Sequence, residues 1–478
     1  MKNTKKIYFN ITILIPFILS ILWVSIYGTG IYFRDEWYLA DSFKQLYDLD
    51  LSALWDQHNE HRIVLTKLIL YLNYVLGFDT LFIMYLNQFI HLITSFFLAI
   101  GIISEMKLSN KLISKSFISL FIFILFAFLF SPTQSDNILW SFQNQWYLCL
   151  MGTVLSIIGV HKLKYSWTLP GILISYLSLA SWVAIIPVYI IYFIFLYFNL
   201  KDSYKNKVII FILSHLALFI GLLILYLWDL NKTVGLGEIL LFLKNPMTFI
   251  GYVLAFLGSP MAWSLWSAQV FGVIFLVCFV YLAYINFKQR QLSMGLLLII
   301  WVLAVASLIG LGRLGYGELQ ALSSRYSTFV LPGWAVICIY IIYLTRSLGK
   351  YKTYSIRIVV LAVLLMTYAK GLLLLGDDLR IKKKGLKCYQ ELVLKKKQGD
   401  RNCLKILDKS IANLLSSTET LEKLYGIPSS WKTPYKPSIL QKYIRVDLLL
   451  EEIIDWIGIE KLYKWDVEGD RGKGRQKH

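Results

Sequence analysis

Two adjacent carboxyl side chains, Asp35 and Glu36, follow the first apolar stretch of the chain within the sequence Arg34-Asp35-Glu36-Trp37. At the end of a membrane helix, such a pair lies at the level of the lipid headgroups. A carboxylate there can take the proton from a hydroxyl group that approaches from water. The alternative explanation is an ordinary solvated pair, with Arg34 as its ion-pair partner. The motif alone is compatible with both.

A second polar cluster, His58-Asn59-Glu60-His61-Arg62, lies further along the same segment. Two imidazoles, a carboxylate and a guanidinium within five residues are hard to explain by packing. If the segment is helical, His58 and Arg62 share one face because they stand four positions apart. Alternatively, His58 and His61 bind a divalent metal ion together with Glu60 or Glu36, although their spacing differs from the HExxH pattern.

A third polar group lies late in the chain, in the glycine-rich segment 310–318 around Arg313 and in Ser323-Ser324-Arg325-Tyr326. Clustered glycines let a backbone approach a ligand closely. An arginine can grip a phosphate group with two parallel hydrogen bonds. The alternative explanation for Arg325 is a helix-end side chain that reaches toward lipid headgroups.

The segment 131–146 contains neither Lys nor Arg but is rich in amides and tryptophans, with Gln143 and Trp146 near its end. Amide groups and indole rings suit the hydroxyls and the ring face of a sugar. Tryptophan is also common at the membrane interface of any integral protein, so this segment is a weak signal by itself.

Composition predicts that membrane helices position these residues. Hydrophobic residues make up 57% of the 478 and charged residues only 16%, whereas soluble domains are about half apolar and a quarter charged. The fold class is therefore an all-α polytopic membrane protein, because runs of about 18 apolar residues recur and each can cross a bilayer. About eleven transmembrane helices are expected, or twelve if the Gly/Pro-interrupted segment 246–266 also crosses. The predicted crossings are 7–29, 80–104, 115–131, 147–163, 167–182, 183–200, 207–228, 268–287, 292–310, 328–345 and 356–375.

The distribution of Lys and Arg predicts which loops share a side, since cationic residues concentrate in cytoplasmic loops. With a cytoplasmic N-terminus behind Lys2, Lys5 and Lys6, every cytoplasmic connection is basic; these connections are 105–115, 161–166, 201–207, 288–291 and 346–355. The segments 30–79 and 131–146 then face outward, and amphipathic helices of 30–79 are expected to lie on the membrane. The run Lys382–Lys384 favours a cytoplasmic tail, but long segments cross regardless of charge, so we expect the tail outside.

Residues 1–375 are predicted to form a transmembrane domain, and 376–478 a C-terminal extramembrane helical region. This region has amphipathic patterns at 386–424 and 439–464 and a polar end that is expected to be disordered. Cys388 and Cys403 lie in it and can pair if it is exported. The net charge of +19 is explained by topology signals and by attraction to anionic lipids, so no nucleic-acid partner is expected.

Together these features resemble the membrane-embedded glycosyltransferases of the C superfamily, which include protein O-mannosyltransferases and the lipid A aminoarabinose transferase. The resemblance rests on the 34–37 motif near the start of a large first outer loop and on the architecture of 1–375. The segments 58–62 and 324–326 also look like those of uncharacterised bacterial members. The resemblance implies a polyprenyl-phosphate sugar as donor, Asp35 as catalytic base, and Glu36 as a supporting or metal-binding residue.

The function expected from the resemblance is inverting transfer of a monosaccharide to a cell-envelope glycan, lipid or protein, at the extracytoplasmic face of a bacterial plasma membrane. The residues expected to hold the lipid phosphate are Arg62, Arg313, Arg325, Tyr326, His58 and His61. Those expected to contact the acceptor are Trp37, Glu60, Gln143 and Trp146. A divalent metal is the open cofactor question, with Glu36, His58 and His61 as its ligands.

Other classes of function remain open. A polysaccharide polymerase or ligase also acts on lipid-linked glycans, but centres its chemistry on a late outer loop. A flippase or transporter has inverted repeats and sites in the middle of the membrane, and no repeat is visible here. A structural scaffold leaves the polar clusters unexplained. Nucleotide-phosphate loops are also absent from the sequence, which disfavours a nucleotide-bound donor.

Overall fold

The computed structural model describes residues 11–109, 115–199, 202–230, 242–345, 350–396, 399, 401–408 and 410–424. Within these ranges the regular structure is helical, as predicted from composition, and the only β-type pairing is an isolated bridge. In chain order the α-helices are Ile15–Tyr27 (α1), Leu39–Tyr47 (α2), Ser52–Trp55 (α3), Val64–Val75 (α4), Thr80–Ser109 (α5), Lys115–Leu129 (α6), Ser135–Leu139 (α7), Asn144–His161 (α8), Tyr165–Tyr176 (α9), Ile185–Asn199 (α10), Asp202–Leu227 (α11), Pro246–Gly258 (α12), Leu265–Lys288 (α13), Met294–Arg313 (α14), Ser327–Thr345 (α15), Lys350–Tyr389 (α16) and Ile411–Leu424 (α17).

The polytopic membrane class is supported by helix length and apolarity. In the described part of the chain, eight helical segments are long and apolar enough to cross a membrane; they are Thr80–Glu105, Ser116–Leu139, Ala180–Asn199, Asn206–Leu227, Leu265–Lys288, Met294–Tyr316, Ser324–Thr345 and Tyr354–Leu394. The predicted crossings 147–163 and 167–182 are not among them. Thr12–Tyr27 and Pro246–Met261 are apolar but shorter. The total of about eleven crossings therefore stays a prediction.

Small residues bring several of these helices into close contact. A Cβ atom on Gly152 of α8 would lie 2.5 Å from the carbonyl oxygen of Gly171 on α9. In the same way, a Cβ on Gly258 of α12 would collide with the carbonyl of Ala268 on α13. Such contacts replace the hydrophobic effect as the source of helix association in a bilayer. They fix α12 against α13 and α8 against α9, and the first turn of α8 borders the site.

The segment between α1 and α5 holds α2, α3 and α4. That these helices belong to an outer loop and lie on the membrane stays a prediction. The buried face of α2 carries Leu39, Ala40 and Phe43. Phe43 stacks on Tyr74 of α4 at 5.8 Å between ring centroids. This packing makes the loop a compact layer rather than an extended connection.

Helix α16 joins the last predicted crossing, 356–375, to the tail. Its 40 residues extend about 60 Å, twice the thickness of a bilayer core, and the predicted domain boundary at 375 lies inside it. The tail then returns to the first loop, where the Ser417 hydroxyl on α17 donates to the carbonyl of Trp37 at 2.6 Å. Cys388 and Cys403 form a disulfide, which confirms the predicted pairing.

The described part of the tail therefore contacts segment 30–79. Which side of the membrane the two segments face stays a prediction. Several predictions fall outside the described residues. They are the N-terminal lysines 2–6, Lys111, the loop positions 201 and 346–349, the pattern at 439–464 and the polar end of the chain.

Candidate functional site

Most of the predicted site residues meet in one cavity of about 430 Å³. The residues from the three polar segments that line it are Asp35, His58, Glu60, His61, Arg313, Arg325 and Tyr326. Gln143 and Trp146, from segment 131–146, line it as well. Glu36, Trp37 and Arg62 do not. Segments far apart in sequence, all predicted to face outward, thus assemble around a single volume.

Asp35 lies in the middle of a 3₁₀ turn, Arg34–Glu36, that follows α1. The turn is possible because Arg34 adopts a left-handed backbone conformation with φ of 49°, which few residues other than glycine favour. It sends the carboxyl groups of Asp35 and Glu36 in different directions. Asp35 faces the cavity, half-buried.

Glu36 instead points into the protein and ties two loops together. Its carboxylate accepts hydrogen bonds from the backbone N–H groups of Phe33 at 2.7 Å and Phe142 at 2.9 Å, and from the Ser141 hydroxyl. Burial raises its pKa to about 7, although these hydrogen bonds and the nearby Lys382 act in the opposite direction. Of the two roles expected for Glu36, these contacts fit the supporting one rather than metal binding, because both oxygens already have partners within the protein.

His58 and His61 do not lie on a helix, contrary to the expectation that His58 and Arg62 share a helical face. They form a tight turn, in which the His58 N–H donates to the His61 carbonyl at 2.8 Å and the reverse bond measures 2.9 Å. Asn59 permits the turn because its φ is 50°, a conformation that asparagine tolerates well. Both imidazoles thereby line the cavity.

Both imidazoles are neutral near pH 7. Burial lowers the pKa of His58 to about 4, while the Asp35 carboxylate acts in the opposite direction. Burial also lowers the pKa of His61 to about 4, and the positive charge of Arg325 adds to this effect. His58 Nε2 and His61 Nδ1 are buried, and neither has a hydrogen-bond partner among the residues that the structure describes. A ligand in the cavity can satisfy them.

Arg62 is a structural residue, which corrects its predicted role in holding a lipid phosphate. It is buried, and its guanidinium donates to the carbonyl oxygens of Tyr226 at 3.1 Å, Trp55 at 2.6 Å and Trp228. These bonds fasten the first loop to the end of α11. With its donors directed to backbone carbonyls, Arg62 is not oriented toward the cavity.

Arg313 and Glu60 form an ion pair across the cavity wall. Arg313 ends α14, and its guanidinium also lies 5.5 Å from the ring centroid of Tyr316. Glu60 is in addition 3.6 Å from the imidazole Nε2 of His61. In this structure the Glu60 carboxylate neutralises the positive charge of Arg313, so that charge is already paired.

Arg325 lies in a 3₁₀ turn, Ser324–Tyr326, directly before α15. The Asn137 side-chain amide holds this turn by donating to the carbonyl of Arg325 at 2.7 Å and to the Thr328 hydroxyl at 2.6 Å. Beside it, the ring of Tyr326 packs on Trp146 at 5.7 Å between centroids. Segment 131–146 therefore supports Arg325 from behind and supplies Trp146 to the cavity.

Two further expectations are changed by the structure. Trp37 is fully buried against Tyr32 and Tyr389, so it is not placed to contact an acceptor. Across the described ranges, no group of three His, Cys, Asp or Glu side chains is arranged to hold a metal ion. The proposed ligand set of Glu36, His58 and His61 is not assembled, because Glu36 points away from the cavity.

The apolar wall of the cavity was not predicted from sequence. It comes mainly from the ends of two membrane helices, with Leu223 and Leu227 on α11 and Leu308 and Ile309 on α14. The only signal in the sequence was their position at the predicted outer ends of membrane helices. Leucines there look like any lipid-facing residues until the partner helix is known.

Comparison with known proteins gives no further indication. No family model, no curated protein and no solved structure matches the chain.

Proposed function

We propose that the chain transfers a monosaccharide from a polyprenyl-phosphate carrier to a hydroxyl group of a cell-envelope glycan, lipid or protein. One observation carries the proposal: a carboxylate, Asp35, and a guanidinium, Arg325, line the same cavity, whose wall continues into apolar ends of α11 and α14. A lipid-linked phosphate sugar combines the three properties that this cavity matches, namely an apolar chain, an anionic phosphate and a polar sugar.

The proposed reaction is a single inverting displacement. The acceptor oxygen forms a bond to the anomeric carbon of the sugar, and Asp35 takes the proton of that hydroxyl. The bond between the anomeric carbon and the phosphate oxygen breaks, and its electron pair leaves with the lipid phosphate. Arg325 stabilises the charge on that phosphate. Arg313 does so as well, after its ion pair with Glu60 has been replaced by one with the donor phosphate.

The uncharged groups of the cavity have a role in binding. Neutral His58 and His61 each offer a buried nitrogen as a hydrogen-bond partner for a sugar hydroxyl or a phosphate oxygen. Gln143 and Trp146 present an amide and an indole to the same volume. We assign Gln143 and Trp146 to acceptor binding, together with Glu60 once it is released from Arg313.

Two observations support an outward-facing cavity in a bacterial plasma membrane, with the N-terminus in the cytoplasm. The disulfide Cys388–Cys403 lies on the tail beside the first loop, and disulfides persist mainly in oxidising compartments. The exposed cations Lys162, Lys164 and Lys288 lie at helix ends remote in sequence from the cavity segments. Basic loops mark the cytoplasmic side.

The test uses purified protein, a panel of radiolabelled polyprenyl-phosphate sugars and cell-envelope acceptors. Asp35→Asn should lower turnover by a factor of about 10² to 10⁴, the range expected for loss of a general base. Asp41→Asn is the matched control, since Asp41 is exposed on α2 in the same loop and its loss should leave turnover unchanged. Near-normal turnover in Asp35→Asn would remove Asp35 as the base.

The same protein in liposomes separates the enzyme from a transporter. Labelled donor that crosses the bilayer with no glycosylated product would favour a flippase. Product that lengthens by repeated oligosaccharide units would favour a polymerase or ligase. A single added sugar per acceptor is the result expected here.

A further inference from the structure

Lys382 stands in the C-terminal half of α16, in a run of three lysines. It is only 3% exposed, whereas Lys383 and Lys384 are exposed. A lysine is seldom buried unless its charge is paired and hydrogen-bonded. The burial of this one member of the run therefore indicates a specific contact.

The contacts of Lys382 are with the loops that form the site. Its ammonium Nζ donates to the carbonyl of Leu139 at 2.5 Å and lies 4.9 Å from the ring centroid of Phe33. The carboxyl groups of Asp378, Asp136 and Glu36 lie close enough to contribute opposite charge. One ammonium group thus joins the first outer loop to segment 131–146.

Three of these partners, Phe33, Glu36 and Leu139, lie close in the chain to residues that position cavity side chains. Phe33 and Glu36 stand on either side of the pair Arg34-Asp35, and the Phe33 N–H donates to the Glu36 carboxylate. Leu139 ends α7, the short helix in which Asn137 holds the carbonyl of Arg325. Lys382 therefore contacts both Phe33, near Asp35, and the end of α7, the helix that holds Arg325.

Other contacts from the tail hold the same turn. The Arg34 N–H donates to the carbonyl of Leu407 at 2.5 Å, and the Ser417 hydroxyl donates to the carbonyl of Trp37. Both ends of the Arg34–Glu36 turn are therefore bound by residues of 377–424. The disulfide Cys388–Cys403 closes this part of the tail onto itself.

We infer that Lys382 is a positioning residue that sets the location of Asp35 relative to Arg325. We also infer that 377–424 is a working part of the site, although none of its described residues lines the cavity. The inference rests on the proposed transfer reaction for its kinetic consequence. Its structural consequence is independent of that reaction.

The kinetic test compares neighbouring lysines. Lys382→Met should lower kcat by a factor of about 10 to 100, because small displacements of reacting groups are that costly, with the donor KM changed less than about twofold. Lys384→Met, the matched control, should leave both constants unchanged. Lys382→Arg retains a cation and should recover part of kcat. Equal kcat in Lys382→Met and Lys384→Met would overturn the inference.

The structural test is amide hydrogen exchange of the full chain in detergent, read from peptides covering 31–38 and 135–143. Lys382→Met should speed exchange in both peptides, while a peptide within α13 stays unchanged and reports correct folding. Lys384→Met should alter none of them. If Lys382→Met does not insert, Lys382→Gln takes its place, since it keeps a hydrogen-bond donor.

The two tests fail in distinguishable ways. Faster exchange at 31–38 and 135–143, in a protein that transfers no sugar, would refute the proposed reaction and leave the positioning role of Lys382 in place. Unchanged exchange in both peptides would refute the positioning role, whatever the activity.

Discussion

The ion pair between Glu60 and Arg313 gives the sharpest prediction about donor binding. If a lipid phosphate must displace Glu60 from Arg313, then Glu60→Gln should tighten donor binding rather than weaken it. The side chains of Glu60 and Arg313 are 20% and 30% exposed, so we take the upper end of the range for surface pairs, about 1 kcal/mol. Since 1.4 kcal/mol is a factor of ten, the donor KM should fall about fivefold.

The assay measures the KM values for donor and acceptor separately under steady-state transfer. Glu419→Gln is the matched control, because Glu419 also pairs with a cation, Lys423 at 2.7 Å, but is 69% exposed on the tail. That substitution should leave both KM values unchanged. Arg313→Gln should raise the donor KM, and adding Glu60→Gln to it should bring no further gain, as a double-mutant cycle requires.

Two outcomes would refute this reasoning. A donor KM that is unchanged or higher in Glu60→Gln would show that the carboxylate does not compete with the phosphate. A fivefold fall that persists when Arg313 is already replaced would show that Glu60 acts through another group. A rise in the acceptor KM would add that Glu60 contacts the acceptor.

Three further predictions concern pH and redox state. Because the pKa values of His58 and His61 are about 4, the pH profile of kcat/KM between pH 5.5 and about 7 should show no imidazole titration. A change in kcat/KM near pH 6.5 that disappears in His58→Gln would contradict this. The pKa of Glu36 is raised from 4.5 to about 7, so the folded state binds the proton more tightly than the unfolded state. The protonated Glu36 side chain therefore stabilises the folded state below pH 4.5, and this stabilisation of roughly 3 kcal/mol is lost as the pH rises through 7. The Tm of wild type should fall relative to that of Glu36→Gln over this pH window. Parallel Tm curves would refute the assignment. Cys388 and Cys403 should not react with maleimide until the disulfide is reduced. Reduction should destabilise the tail by about 3 kcal/mol, because the disulfide closes a loop of 15 residues, and the loss should appear as faster proteolysis near 390–410. Labelling without reductant would argue against an oxidised, exported tail.

The class of fold follows from local properties of the chain. The free energy of burying an apolar helix in a bilayer is a sum over its own residues, so runs such as 80–104 and 207–228 are recognised without knowledge of their neighbours. The predicted grouping of 30–79, 131–146 and 310–326 on one side also follows from the alternation of crossings. For that reason the sequence could predict that Asp35 and Arg325 share a face.

The direction of each side chain was decided by the tertiary structure. Asp35 and Glu36 are adjacent, yet the left-handed backbone at Arg34 directs one into the cavity and the other into a buried clamp. Similarly, Lys382 and Lys384 stand in one run, but only Lys382 meets Phe33 and the carbonyl of Leu139.

Composition, apolar length and charge bias thus determined by themselves that this is a helical membrane protein with polar clusters on a common face. Which cations line the cavity was not determined in that way. Arg62 is bound by three backbone carbonyls from the loop and the end of α11, while Arg325 lies in a turn whose carbonyl accepts from Asn137, and it lines the cavity. The physical reason is that hydrogen bonds to groups 164 or 188 residues away depend on how the helices pack, and no local pattern in the sequence encodes that packing.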